Sequence, residues 1–168
     1  YKYPDDFAED FSKSQPEIVG FSNYMWNLDL SYTFAQAIKE VAPDTLIIFG
    51  GPNYPLEESR QEVWLKKHPA VDVYVMGEGE EPFRRIVETW IETQSIEAVK
   101  RAGINGVNAL VDGKLFKDMA VRRDGYDDTP RVTSLDDTPS PYTMGYLDRF
   151  LQDPKLVPLM ESNRGCPF

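Results

Sequence analysis

The centre of the chain reads Thr45-Leu46-Ile47-Ile48-Phe49-Gly50-Gly51-Pro52, and this segment sets the fold class. An uninterrupted apolar run of this length predicts a strand that is covered on both faces, as in a parallel sheet. Two glycines and a proline then end the strand and begin a loop. Because parallel strands need crossover connections, the segment also predicts helices on either side of it.

The neighbouring sequence supplies that alternation. Short apolar runs at Ile18–Ser22 and Val71–Met76 predict two further strands. Asn27 can cap a helix that continues to about Val41, and a shorter helix is predicted from about Leu56 to Lys67. The clearest helical spacing follows the third strand, with Pro82 in the first turn and apolar residues at Phe83, Ile86, Val87, Trp90 and Ile91.

This order predicts an α/β fold with a Rossmann-like, flavodoxin-type parallel sheet flanked by helices. Residues 1–15 have the pattern of a helix that leads into the first visible strand, and the chain begins at Tyr1 rather than Met. We therefore expect at least one more strand and helix upstream. Without that upstream strand, the first visible strand would expose a sheet edge. An uncovered edge can pair with another chain, so we expect that this shortened chain can form a dimer.

The pattern changes after about Thr93. Residues 105–116 predict a β-hairpin with its turn at Asp112-Gly113. Residues 122–145 are polar and hold three prolines, as in an extended connector. The predicted division is an α/β domain at 1–97, a hairpin extension at 98–121, a proline-rich connector at 122–158 and the start of another domain at 159–168.

Composition excludes several classes of function. The 168 residues carry a net charge of −10, whereas a nucleic-acid partner requires a basic surface. No apolar run reaches membrane-spanning length, so we expect no membrane partner. A single cysteine rules out an internal disulfide and suits a reducing, cytoplasmic setting. With one histidine, His68, expected in solvent at a helix end, we predict no catalytic triad, no zinc site and no catalytic residue in this chain.

Three loops at the carboxyl ends of the predicted strands form the candidate small-molecule site. Ligands of open parallel sheets bind at this edge, and glycine allows a backbone to approach a ligand closely. The pair Gly77 and Gly79 lacks the third glycine of a dinucleotide loop, and the glutamates around it would repel a pyrophosphate. The predicted site residues are Ser22, Asn23 and Tyr24, then Gly50, Gly51 and Pro52, then Gly77, Glu78 and Gly79.

The chain ends with Arg164-Gly165-Cys166-Pro167-Phe168, which resembles the opening of the radical S-adenosylmethionine (SAM) signature. In that signature three cysteines, spaced C-x3-C-x2-C, hold a [4Fe–4S] cluster. The resemblance makes Cys166 the first iron ligand of an intact parent protein. The 168 residues alone cannot hold the cluster, because three thiolates are required and one is present.

Taken in order, the motifs resemble the cobalamin (vitamin B12)-binding domain that precedes the barrel of many radical SAM enzymes. They are Pro16–Ser22, Gly50–Pro52, Val71–Glu80, Pro139–Tyr142 and Arg164–Phe168. The resemblance implies that cobalamin lies across the carboxyl edge, facing the nine predicted site residues. It also implies a downstream radical SAM barrel as partner, cleavage of SAM, and methyl transfer to an unactivated centre as the expected reaction. The family's Asp-x-His-x-x-Gly motif is absent, and it would fall upstream of Tyr1.

Two alternatives stay open. The domain could keep the fold without the cofactor and act as a docking platform, with Tyr24 and Trp26 as an apolar contact surface. It could also be a flavodoxin-like domain that binds a flavin or another small ligand, although the acidic loop at Glu78 disfavours this.

Overall fold

The predicted alternation folds into a sheet with helices on both faces. A computed structural model of the protein describes residues 3–117 and 139–157. The strands are β1 (Ile18–Ser22), β2 (Leu46–Gly50), β3 (Val73–Val75), β4 (Val107–Val111) and β5 (Lys114–Lys117). The helices are α1 (Pro4–Ser14), α2 (Leu28–Val41), α3 (Glu58–Lys67), α4 (Glu80–Thr93), α5 (Ile96–Arg101) and α6 (Asp148–Leu151).

The sheet has the order β1-β2-β3-β4-β5 and is mostly parallel. Strands β1, β2 and β3 run parallel, which confirms the predicted α/β class. The predicted hairpin is also present, but it is part of the same sheet, since β4 pairs antiparallel with β3. The Asp112-Gly113 turn signal predicts a hairpin and carries no information on which strand the hairpin joins.

Two apolar cores cover the two faces of β2. Ile47 and Phe49 face one core, where Leu65 of α3 and Ile38 of α2 are buried. Leu46 and Ile48 face the other core, against α4 and α5. All four β2 side chains are at most 3% exposed, so the central strand is covered on both faces as its sequence predicts.

Apolar spacing predicts that helix α2 buries Leu30, Phe34, Ile38 and Val41, and the structure confirms this only in part. Leu30 and Val41 are exposed, while Ser31 and Ala35 are buried together with Ile38. Small side chains let this helix approach the sheet closely. Helix α5 was not predicted, because six residues are too few to show a period; the Ser95 side chain caps it by accepting from the Ala98 N–H.

The two edges of the sheet differ. On β5, the Leu115 N–H donates to the Glu62 carboxylate at 3.0 Å, and Lys117 pairs with Glu58. On β1, the only pairing among the described residues is with β2, and Gly20 and Ser22 are exposed. Charged side chains at an edge discourage pairing with another chain. The expected self-association through β1 stays a prediction.

The chain divides into two units, 1–132 and 133–168, and residues 139–157 are the described part of the second. They form turns and the short helix α6. The remainder of the predicted connector, and the segment that contains Cys166, lie outside the described residues. None of the helices in the described ranges has the length and apolarity needed to cross a membrane.

Asp72 ties together the amino ends of β2 and β3. Its carboxylate accepts from the Ile47 N–H at 2.8 Å and pairs with Lys39 at 2.7 Å, with Lys100 at 3.7 Å. The Asp72 side chain is 6% exposed, and Lys39 also donates to the Thr45 carbonyl. A buried charge with this many partners fixes the positions of the elements that supply them.

We expect Asp72→Asn to lower the free energy of unfolding by about 2–3 kcal/mol, because it leaves Lys39 without its buried partner. Urea denaturation measures the change. Glu9→Gln removes an exposed ion pair with Lys13 and should change stability by less than about 0.5 kcal/mol. Equal effects of the two substitutions would contradict a structural role for Asp72.

Candidate functional site

Asn23 joins the loops that follow β1 and β2. Its backbone N–H donates to the Gly50 carbonyl at 2.6 Å, and its own carbonyl accepts from the Asn53 N–H at 3.2 Å. Its side-chain Nδ2 donates to the Asn53 carbonyl at 2.7 Å. Asn23 is fully buried. The first two predicted loops therefore lie against each other at one point of the carboxyl edge.

Tyr74 of β3 supports this junction from below. Asn23 Nδ2 donates to the Tyr74 hydroxyl at 3.0 Å, and that hydroxyl donates to the Gly51 carbonyl at 2.8 Å. The Tyr74 ring stacks on Tyr54 with centroids 3.7 Å apart. Sequence reasoning did not single out Tyr74; the available signal was one hydroxyl-bearing side chain inside the apolar run Val71–Met76.

Burial raises the pKa of Tyr74 to about 12, against a smaller lowering by the hydrogen bond from Asn23. Burial likewise raises the pKa of Tyr54. Both phenols are therefore protonated at neutral pH, and the Tyr74 hydroxyl has a proton to donate to Gly51.

Gly51 is the residue at which the loops come closest. Its φ is +127°, a region that side chains rarely occupy, and a Cβ built there would lie 2.6 Å from the Asn23 carbonyl oxygen. The neighbouring Gly50 would place a Cβ 3.3 Å from the Val75 carbonyl oxygen. This sequence needs glycine at 51 for both backbone conformation and space.

We expect Gly51→Ala to lower the free energy of unfolding by about 3 kcal/mol or more, since strain and a backbone clash act together. Gly113→Ala is the matched control, because Gly113 has φ +74° and no atom within 4 Å of an added Cβ. Gly113→Ala should lower the free energy of unfolding by about 1 kcal/mol. Urea denaturation of both variants measures the difference, and equal losses would show that the loops do not touch at Gly51.

The other predicted site residues lie around this junction. Ser22 and Pro52 are exposed, and Gly50 is half-buried. In the third loop, Gly77 is exposed, Glu78 and Gly79 are half-buried, and Gly79 stands at the start of α4. The structure thus brings the first two loops into contact, and the third loop follows the neighbouring strand β3.

The first turn of α4 carries an ion-paired carboxylate. Arg84 donates to the Glu81 carboxylate at 2.6 Å and Arg85 at 3.1 Å, and these hydrogen bonds lower the pKa of Glu81 to about 2. Glu81 is ionised at neutral pH. Because both arginines pair with Glu81, this cluster is not net negative, and the predicted repulsion of a pyrophosphate by the glutamates of the third loop stays a prediction.

One face of β1 is open. Gly20 and Ser22 point to the same side of the strand and are exposed. A Cβ on Gly20 would meet only the Phe83 ring of α4, at 3.9 Å, and Phe83 is itself 43% exposed. We call Gly20, Ser22 and Phe83 the open face of β1.

An exposed aromatic surface follows β1. Tyr24 stacks on Trp26 with centroids 4.8 Å apart, and Met25 and Trp26 are 83% and 78% exposed. Asn27 fixes this turn by accepting from the Tyr24 N–H at 2.8 Å and donating to the Ser22 carbonyl at 2.9 Å. Asn27 stands at the helix start as predicted, but its side chain holds the loop and does not cap α2.

Metal ligands are not assembled in the described residues. No three His, Cys, Asp or Glu side chains within 3–117 and 139–157 form a metal site. His68 follows α3 near the amino end of β3, where its ring packs between Trp64 and Tyr32. It is half-buried, so the expectation of a solvated ring was wrong; its position at the helix end was right. His68 lies at the end of the sheet opposite the candidate site.

Ionisation of tyrosine can be followed by absorbance as the pH is raised. We expect the difference between the titration curves of the wild type and of Tyr74→Phe to show one phenol that ionises with a midpoint near pH 12. Because the pKa is raised in the folded state, the stability linked to Tyr74 is complete below pH 10. It falls by about 1.4 kcal/mol per pH unit as the pH rises from 10 to 12. Urea denaturation across this range should therefore show a shallower loss for Tyr74→Phe. A midpoint near 10 would mean that Tyr74 is solvated.

Residues 2–87, just over half of the chain, match the family described as the B12 binding domain. The chain belongs to this family. The match ends inside α4, so it contains β1, β2, β3 and all three loops of the carboxyl edge.

Longer proteins resemble nearly the whole chain. The cobalamin-dependent radical SAM methyltransferase TokK of Streptomyces tokunonensis is 32% identical over 92% of this chain. The 2-(S-pantetheinyl)-carbapenam-3-carboxylate methyltransferase of Streptantibioticus cattleyicolor is 29% identical over the same share. An uncharacterized methyltransferase of Pyrococcus horikoshii is 26% identical over 97%. The chain spans 21% of the length of the first two relatives and 32% of the third.

Proposed function

We propose that this B12-binding domain holds cobalamin at its carboxyl edge. The observation that supports this most is the open face of β1, which lies beside the tightly joined glycine loops and within the matched residues. Small side chains at Gly20 and Ser22 leave room there for a large ligand. Cobalamin is bulky and rich in amides, so it needs space and backbone groups more than charge.

Each part of the edge has a role in this proposal. The cofactor would contact the backbone of Gly50, Gly51 and Pro52. The Ser22 hydroxyl lies next to this backbone and could form a hydrogen bond. The Phe83 ring borders the open face of β1. Tyr24 and Trp26 offer a flat apolar surface that suits an extended ring system. When bound, cobalamin supplies a cobalt centre that can carry a methyl group.

The one histidine of the sequence, His68, packs against Trp64 at the opposite end of the sheet and would not take part in holding the cofactor. The role of this chain is therefore to bind and orient cobalamin, and to shield one side of it from water. The described side chains at the carboxyl edge would hold it by packing and hydrogen bonding.

We further propose that the domain serves a cytoplasmic radical SAM enzyme that transfers methyl groups with SAM and a [4Fe–4S] cluster. The name of TokK supports radical SAM chemistry, the names of TokK and of the Streptantibioticus cattleyicolor relative support methyl transfer, and the Cys166 segment supports the cluster. The radical SAM barrel would be the domain's partner. The cluster needs two cysteines beyond Cys166, so this chemistry belongs to the parent protein.

The exposed surface of Tyr24, Met25 and Trp26 also supports a second candidate, a cofactor-free docking domain. Large apolar side chains exposed together mark an interaction site. Corrinoid binding separates the two candidates, since only the first requires it.

The test is a titration with hydroxocobalamin, followed by its visible spectrum, using this chain and the longest form that its gene encodes. We expect saturable binding with a spectral change that reports altered cobalt ligation. Binding by the longer form alone would show that further residues complete the site. If neither form binds while the longer form holds an iron–sulfur cluster, the docking candidate stands and cobalamin binding is excluded.

Gly20→Leu tests the open face of β1 directly. The added side chain should fill the space beside Phe83 and raise the dissociation constant for hydroxocobalamin about tenfold or more, with little change in stability. Ala37→Leu is the bulk-matched control on the exposed side of α2 and should leave binding unchanged. Equal affinities for both variants would place the ligand elsewhere.

A further inference from the structure

We propose that Asn23 and Tyr74 are positioning residues, which set the spacing of the two cofactor loops without contacting the cofactor. This inference rests on the proposed function. It revises the role that sequence reasoning predicts for Asn23, namely a side chain that faces the ligand, and it gives a role to Tyr74, which was not predicted to have one.

Asn23 has no donor left for a ligand. Its side-chain amide has two N–H groups, and it makes two hydrogen bonds, to the Asn53 carbonyl and the Tyr74 hydroxyl. Its Oδ1 accepts from the Asn53 side chain at 3.2 Å, and its backbone N–H and carbonyl bond to Gly50 and Asn53. The residue is 0% exposed. All of these contacts are to the loops and strands around it.

Tyr74 connects this network to the rigid part of the sheet. Its hydroxyl accepts from Asn23 and donates to Gly51, so one oxygen atom fixes the distance between the two loops. Its ring cannot shift easily, because Tyr54 stacks on it and Trp64 packs edge-on with centroids 5.3 Å apart. Gly51 is held in a conformation that needs such support, with φ at +127°.

Removing the hydroxyl alone separates positioning from packing. Tyr74→Phe keeps the stacked ring but leaves the Gly51 carbonyl without its donor and Asn23 with one acceptor fewer. Tyr54→Phe is the matched control, because it removes the hydroxyl from the other ring of the same stacked pair. The Tyr54 hydroxyl accepts from Asn108 on β4 at 3.4 Å, on the side away from the first loop.

The experiment measures three quantities for each variant: hydroxocobalamin affinity, stability in urea, and amide hydrogen exchange without ligand. For Tyr74→Phe we expect the dissociation constant to rise about tenfold, the factor that one lost hydrogen bond can give. The Asn23 and Asn53 amides should exchange about tenfold faster, while the Ile47 amide, which donates to Asp72, follows global stability only. Tyr54→Phe should change neither affinity nor loop exchange.

A second variant guards against a folding defect. Asn53→Ala removes only the 3.2 Å bond to Asn23 Oδ1, and Asn53 is half-buried, so the protein should fold. Its dissociation constant should rise about threefold. If folded Tyr74→Phe binds as tightly as Tyr54→Phe, the positioning role is wrong. If the wild type binds no cobalamin, the proposed function fails, and selective loop exchange alone then decides whether Tyr74 positions the loops.

Discussion

The burial of β2 on both faces is the constraint on which the rest of the structure depends. Ile47 and Phe49 enter one core while Leu46 and Ile48 enter the other, so helices must cover both sides of the sheet. Parallel strands on this plan end at the same edge. The loops that follow β1 and β2 are thereby brought together before any polar contact is made.

A buried polar residue helps to fasten each end of the sheet, Asp72 at the amino end and Asn23 at the carboxyl end, and the two residues differ in kind. At the amino end, Asp72 is charged and draws Lys39 and Lys100 to it. At the carboxyl end, Asn23 is neutral and bonds to loop backbone and to a phenol. A buried charge beside a ligand would favour or repel other charges strongly. A neutral amide fixes the loops without imposing a field on whatever binds there.

Much of the fold follows from the sequence because it depends on local patterns. The apolar run at β2, the glycines after it and the turn at Asp112-Gly113 each predict one element, and each element is present. The pairing of β4 with β3 could not be predicted in this way, because it depends on contacts distant in the chain. The buried face of α2 also escaped prediction, since Ser31 and Ala35 approach the sheet by being small. At the candidate site, the glycine loops were predictable from strand ends. The burial of the Asn23 side chain was not predictable. The sequence around an asparagine that follows a strand does not show whether its side chain faces solvent or a neighbouring loop.

The polar network beneath the loops also determines what kind of surface is left above them. Asn23 uses its side-chain donors on the Asn53 carbonyl and the Tyr74 hydroxyl, and Tyr74 donates to the Gly51 carbonyl. Glu81 is ion-paired with two arginines at the start of α4. The surface that faces outward is then made of glycine backbone, a serine hydroxyl and the aromatic rings of Tyr24, Trp26 and Phe83. Such a surface would suit a ligand that is held by shape, apolar contact and hydrogen bonds to backbone. A flat ring system bordered by neutral amides has these properties, whereas a nucleoside polyphosphate has the opposite ones. The chemistry of this edge is therefore compatible with the cofactor class of the B12-binding family, whose matched residues include the edge itself.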